Sequence, residues 1–304
     1  MAEGGTRTGA ARAKRQRRRP AHPPGSWRAE LDDFVRAFSG AFVVATPLLY
    51  TMEMWAIGVT AEHWKLVLFL GVAVAISLGL ARSRSGGFKD GTSGFAVVEQ
   101  AIDGVAVGVV GAIVVLFVLN RIEIGDPLDS IVGKVAIQAV PLAIGAAVAN
   151  AIFGPDRRGG RQGDDEDGNG AGSAKQALLA DLGATVVGAV FIAITIAPTD
   201  EIQVLAAGMD TAHELALVAL SLVLTYTIVF ASGLGYGQYE QPGLFQQPIT
   251  ETVLAYLVSL LVALAALFLF DRIEVGDPLG QVVSMVLVLG LPAAVGGAAG
   301  RLVV

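Results

Sequence analysis

The sequence predicts an all-α, polytopic membrane protein with eight transmembrane helices, arranged as two parallel four-helix repeats. Of its 304 residues, 54% are apolar and only 16% are charged, whereas a soluble domain carries about a quarter charged residues. The apolar residues are concentrated in runs about 20 residues long, which is the length that a helix needs to cross a bilayer. We place the spans at residues 37–58, 64–82, 96–119, 130–153, 176–199, 212–233, 250–270 and 280–303.

A repeated octapeptide supports the two-repeat arrangement. Arg121–Leu128 returns as Arg272–Leu279, with seven of eight residues identical and an offset of 151. A fixed period of this kind indicates duplicated architecture. Because each repeat would hold an even number of spans, both repeats would enter the membrane from the same face, unlike inverted-repeat transporters. We therefore divide the chain into repeats at 26–153 and 176–304.

Two hydrophilic segments flank these repeats. Residues 1–25 are predicted to be a disordered basic tail, with a Lys/Arg run at 14–19 that no apolar signal-peptide core follows. Such a run can bind nucleic acid, but next to a membrane we expect it to hold the N-terminus in the cytoplasm against anionic lipid. Residues 154–175 are predicted to be a Gly/Asp-rich cytoplasmic linker.

The distribution of basic residues predicts the orientation. With the N-terminus in the cytoplasm, 17 of the 21 Lys and Arg residues fall on the cytoplasmic side. The four on the opposite side are Lys65, Arg121, Lys134 and Arg272. The positive-inside rule thus predicts a multi-pass protein of the plasma membrane with both termini cytoplasmic.

The repeated motif has a structural and a functional interpretation. Gly-Asp-Pro suits a turn into a helix: Asp caps the free helix amides, and Pro is tolerated at the first helical position. The charged residues of the two motifs are candidates for ion pairs within or between the loops, or for a charged outer vestibule. They are Arg121, Glu123 and Asp126 in the first motif and Arg272, Glu274 and Asp277 in the second.

Prolines and acids inside the apolar runs supply the other candidates. We expect kinks or hinges at four prolines, because a proline inside a helix removes a backbone hydrogen bond. They are Pro47, Pro198, Pro141 and Pro292. Near them lie Glu53, Asp200 and Glu201. At membrane depth such acids would bind a proton or a small cation; if the fifth span stops at Ala197, Asp200 and Glu201 lie in an outer loop instead. We assign Glu99, Asp103, Asp181 and Glu251, near cytoplasmic helix starts, to favourable interactions with helix dipoles.

Several functions are disfavoured. The absence of Cys excludes disulfides and thiolate chemistry, and three scattered His make a His-built metal site improbable. The sequence contains no nucleotide-binding, nucleophile-elbow or zinc-protease motif. We therefore predict no enzyme activity, no cofactor and no metal. Small-residue pairs such as Gly145/Ala149 and Gly296/Gly300 predict close helix packing and leave a homo-oligomer open.

The two Arg-Ile-Glu-x-Gly-Asp-Pro-Leu segments, in a duplicated eight-span frame with a basic tail, resemble a family of prokaryotic integral membrane proteins. That family is known as a domain of unknown function. The resemblance covers most of residues 30–304; it implies a polytopic membrane protein and supplies no activity or catalytic residue. From the residues alone, a transporter or channel for a small cation or proton is the first hypothesis. A non-transporting scaffold or sensor that binds a protein or lipid partner is the alternative.

Overall fold

The computed structural model describes residues 27–84, 94–153, 171–231 and 248–302, and every regular element within them is helical. The predicted basic tail at 1–25 lies outside these residues, as does the linker up to residue 170. The linker's last five residues differ from the prediction, because they already belong to a helix that begins at Ala171. We call residues 27–153 the first half and residues 171–302 the second half.

The first half contains five described helices. They are α1 (Trp27–Leu49), α2 (Met52–Thr60), α3 (His63–Arg84), α4 (Gly94–Val118) and α5 (Leu128–Phe153). Helix α5 packs against the other four. It lies at the centre of this half, whereas the spanning stretch of α3 is mostly exposed on the surface that would face lipid.

The second half contains five further helices. They are α6 (Ala171–Ile196), α7 (Glu201–Ala207), α8 (Thr211–Tyr226), α9 (Pro248–Leu269) and α10 (Leu279–Gly300), with a π-helical turn at Thr227–Ala231 after α8. Here α10 takes the central position, packed against α6, α7, α8 and α9.

Six of the described helices are long and apolar enough to cross a membrane, or eight spans result if each bent helix pair counts as one. The bent pairs are α1 with α2, at 87°, and α6 with α7, at 89°. The prediction of one continuous helix over 37–58 is therefore wrong, because the chain turns at Tyr50 and Thr51. Near-perpendicular bends let α2 and α7 run across one end of the bundle.

The predicted hinge prolines fall in two different environments. Pro47, Pro141 and Pro292 lie inside α1, α5 and α10. Pro198 lies between helices, because α6 ends at Ile196. The bends thus follow Pro47 by a few residues in one half and contain Pro198 in the other.

Small residues allow the central helices to pack at backbone contact. A Cβ atom at Gly145 of α5 would lie 2.9 Å from the carbonyl oxygen of Ala41 in α1. A Cβ at Gly296 of α10 would lie 2.5 Å from the carbonyl oxygen of Gly188 in α6. The glycines that predicted close packing are therefore used in contacts within this chain.

The two halves share one continuous apolar core. Within it, Tyr50 of the first half makes a polar contact with the second half. Its buried hydroxyl donates to the carbonyl oxygen of Val288 in α10, at 2.9 Å. Val288 lies four residues before Pro292, which has no N–H, so its carbonyl lacks the usual helical donor. Tyr50 therefore supplies, from the first half, the hydrogen bond that Pro292 removes in the second.

Candidate functional site

The loops between α4 and α5 (119–127) and between α9 and α10 (270–278) lie at the same end of the bundle as α2 and α7. Asn120 Nδ2 donates to the carbonyl oxygen of Gly208, just after α7, at 2.6 Å. Arg272 contacts the turn that precedes α7. We call this the motif end, and the opposite end, where α1 begins and α10 finishes, the tail end.

The two motif loops have matching backbones. Asn120 and Asp271 both have φ of 54°, a left-handed conformation that Asn and Asp tolerate better than most residues. Gly125 and Gly276 have φ of 114° and 119°, which favours glycine. The sequence therefore places residues suited to positive φ where each loop needs them.

The aspartates of the motifs close their own turns. Asp126 Oδ2 accepts from the backbone N–H of Glu123 at 3.2 Å, and Asp277 Oδ2 accepts from that of Glu274 at 2.8 Å. The N-cap of α10 is Pro278, which has no side-chain hydrogen bond. The expectation that Asp277 caps the following helix is therefore wrong, and Asp126 likewise bonds back into its loop.

Arg272 binds the break between α6 and α7. Its guanidinium pairs with Asp200 Oδ1 at 2.6 Å and also donates to the carbonyl oxygen of Pro198. Its ion-pair partner is thus Asp200, whereas Glu274 of its own loop is exposed. Asp200, one of the three predicted proton- or cation-binding acids, is therefore neutralised by Arg272. The same guanidinium also satisfies the backbone carbonyl of Pro198 at the break.

Arg121, at the corresponding position of the first motif, has different neighbours. Its guanidinium carbon lies 5.2 Å from the centre of the Trp55 ring, and Nε donates to the carbonyl oxygen of Leu119 at 3.2 Å. Burial lowers the pKa of Arg121, and the nearby Glu123 carboxylate opposes this shift. Guanidinium remains charged in proteins, so Arg121 presents a partly buried positive charge stacked on an indole.

A pocket of about 490 Å³ opens beside this stacked pair at the motif end. Its charged lining comes from Arg121, Lys134, Glu123 and Asp126, with the amide of Asn120 beside them. The apolar lining is Met52, Trp55, Ala56, Val59 and Val204. The pocket therefore offers equal numbers of positive and negative groups beside an aromatic surface, and it draws mainly on the first half.

Lys134 contacts two of the loop residues that line this pocket. Its ammonium donates to the carbonyl oxygen of Arg121 at 2.6 Å and lies 3.8 Å from Asp126 Oδ2. An ammonium has three donors. Lys134 is thus fixed by the loop and keeps donor capacity for a ligand. In the sequence, Lys134 contributed only to the predicted orientation of the protein in the membrane.

The three predicted proton or cation acids do not line this pocket. Glu53 is exposed on α2, Asp200 is exposed in the break, and Glu201 is half-buried at the start of α7. Because α6 stops at Ile196, the alternative that placed Asp200 in a connection after the fifth span describes the chain better. Glu201 instead begins a short helix.

Side chains also donate hydrogen bonds to the backbone carbonyl groups at the first break, between α1 and α2. The Trp55 indole donates to Leu49 O at 3.1 Å, and the Thr51 hydroxyl donates to Pro47 O at 3.2 Å. Gln138 Nε2 lies 3.5 Å from Leu48 O. Carbonyls at a broken helix are the groups that would bind a cation in a transporter, and here protein donors already satisfy them.

The tail end holds a second charged cluster, which we call the tail-end cluster. Arg301, just after α10, lies 2.9 Å from Glu251 Oε1 in α9 and 3.3 Å from Asp181 Oδ2 in α6. Arg301 and Glu251 are almost fully buried, with 6% and 5% of their side chains exposed. The assignment of Asp181 and Glu251 to helix dipoles alone missed their contact with Arg301. The signal available in the sequence was that these opposite charges lie near the same end of three apolar segments.

Within the described ranges, no group of three or more His, Asp or Glu side chains is placed to hold a metal ion.

A family model described as "Putative integral membrane protein (DUF2391)" matches residues 33–304. No curated protein and no solved structure matches the chain.

Proposed function

The chain belongs to this family of integral membrane proteins, and we propose that it is a non-transporting membrane sensor or scaffold that binds a lipid in the motif-end pocket. The observation that carries the proposal is the pocket's lining of two cations and two carboxylates beside Trp55. Its volume, about 490 Å³, falls within the range of about 300–1,000 Å³ found for small-molecule sites.

The charges in the pocket favour a headgroup that itself carries both signs. The Arg121 and Lys134 donors suit a phosphate, and the exposed Glu123 carboxylate suits an ammonium. Trp55 beside basic side chains is typical of the membrane–water interface, where headgroups lie. Phosphatidylethanolamine combines these two groups, and its ammonium can donate hydrogen bonds.

Lipid retention tests this proposal. Native mass spectrometry of protein equilibrated with equal amounts of phosphatidylethanolamine, phosphatidylcholine and phosphatidylglycerol should show preferential retention of the first. We expect Lys134→Met to reduce that retention by about 10- to 150-fold, because a charge-assisted hydrogen bond contributes about 1.5–3 kcal/mol. Met stands at position 285, which is 151 residues further on.

Lys65→Met is the matched control, since Lys65 is exposed near the start of α3 and pairs with Glu62. It should leave retention unchanged. Equal retention of the three lipids by the wild type would contradict the proposal, and so would undiminished selectivity in Lys134→Met.

Transport of a small cation or proton is the second candidate. The two spans bent by 87° and 89° favour it, because Asp200 lies in one bend and Glu53 and Glu201 lie at the start of the helices that follow the bends. The pairing of Asp200 with Arg272 and the apolar contact between the halves count against it. If it is correct, reconstituted wild type conducts protons or cations above empty liposomes, and Glu53→Gln or Asp200→Asn/Glu201→Gln reduces that flux; wild-type flux at the empty-liposome level rules it out.

The proposed frame for either function is eight spans in two parallel four-helix repeats, with both termini in the cytoplasm of a plasma-membrane protein. In support, α5 and α10 begin 151 residues apart, at Leu128 and Leu279, and the two motif loops share their positive-φ positions. This frame would fail if reporter fusions at Gly125 and Gly276 lay on opposite sides of the membrane.

A further inference from the structure

The tail-end cluster joins α6, α9 and the residue after α10 through charged side chains. The Arg301 guanidinium contacts two carboxylates, at 2.9 Å and 3.3 Å. Glu251 also has a second oxygen, Oε2, that is buried and lacks a hydrogen-bond partner. An unbonded carboxylate oxygen in a buried site is costly when ionised, whereas a protonated carboxyl group carries one charge fewer.

We propose that Glu251 is a proton-binding site, at which a proton neutralises the second carboxylate facing Arg301. The proton adds to the unpartnered Oε2, while Oε1 stays within reach of Arg301 and Asp181 keeps its ionic contact. Beside the cluster is a cavity of about 10 Å³, lined by Thr185, Leu254 and Ala255 as well as the charged groups. That is close to the minimum volume for one water molecule, which could deliver the proton.

Helices α6, α8 and α10 pack against α9. Helix α6 contributes Asp181, and its Lys175 side chain lies outside the described part of the chain. Asp210 lies at the N-cap of α8, which carries His213 and Glu214 near the motif end and Tyr226 at the other end. Beyond α10, Arg301 is the contacting cation. Among these described groups, Glu251 therefore faces one positive charge and one competing carboxylate.

Infrared spectroscopy of the reconstituted protein tests the proposal directly. A protonated carboxyl band should appear in the wild type at a pH above the range in which exposed carboxyl groups titrate, because Oε2 of Glu251 is buried without a hydrogen-bond partner. Glu251→Gln, which keeps the side-chain shape, should abolish that band. Asp181→Asn should retain it but move its midpoint to lower pH, because one like charge has been removed.

Glu214→Gln serves as the control, because Glu214 is half-buried in α8 and contacts Ser284 rather than Arg301. It should leave the band and its midpoint unchanged. The proposal is overturned if the wild type shows no such band while folded, or if the band survives Glu251→Gln. A midpoint that Asp181→Asn leaves in place would contradict the coupling. Failure of lipid retention would leave this result unaffected, since the pocket lies at the motif end.

Discussion

Gly296→Ala is expected to destabilise the protein by about 1–3 kcal/mol, the usual cost of overpacking a filled interior. Elsewhere in a helix the same change stabilises by about 1 kcal/mol, because alanine is the better helix former. The sign reverses here since the new Cβ would lie 2.5 Å from the carbonyl oxygen of Gly188. Unfolding in mixed micelles, followed by circular dichroism or steric trapping, would measure the difference.

Gly183→Ala is the matched control on α6. Its Cβ would have no other atom within 4 Å, so only the gain in helix propensity remains. If both substitutions stabilise the protein equally, α6 and α10 are not packed at backbone contact in the membrane.

Arg301→Met is expected to cost about 3–5 kcal/mol of folding free energy, because it leaves the buried Glu251 carboxylate without its partner. Met keeps much of the side-chain volume, so lost packing contributes little. The measurement is again unfolding in mixed micelles, at a pH high enough to keep Glu251 ionised. Lys65→Met, which removes an exposed pair with Glu62, should cost no more than about 1 kcal/mol.

The double variant Arg301→Met/Glu251→Leu separates charge from packing. Replacing both members of a buried ion pair by apolar residues is often nearly neutral, so the second substitution should restore most of the stability lost in the first. An additive loss would show that Arg301 acts through packing and that its contact with Glu251 contributes little.

Helix positions followed from the sequence wherever apolar length decides them. The predicted spans 96–119 and 250–270 correspond to α4 (Gly94–Val118) and α9 (Pro248–Leu269), and both are followed by the Gly-Asp-Pro turn. The prediction of one continuous helix for the first span was wrong, because an apolar run does not indicate where the chain changes direction. Residues 37–58 remain apolar through Tyr50 and Thr51, although the chain bends there by 87°.

The candidate site was less predictable, because side-chain partners depend on how helices distant in sequence approach one another. The sequence offered an ion pair for Arg272 within its own loop or with the other motif loop, yet Arg272 pairs with Asp200, 72 residues earlier. Lys134 and Trp55 gave no local signal of a shared pocket with Arg121. The offset of 151 did not reveal the tail-end cluster either, because the positions equivalent to Glu251 and Arg301 hold the neutral Gln100 and Asn150.

The hydroxyl of Tyr50 limits how the two halves can move. If they rocked apart, Val288 O would lose the donor that replaces the one missing at Pro292. Stranding a carbonyl in hydrocarbon costs several kcal/mol. Motions of the two halves that preserve this hydrogen bond are therefore favoured over motions that separate Tyr50 from α10.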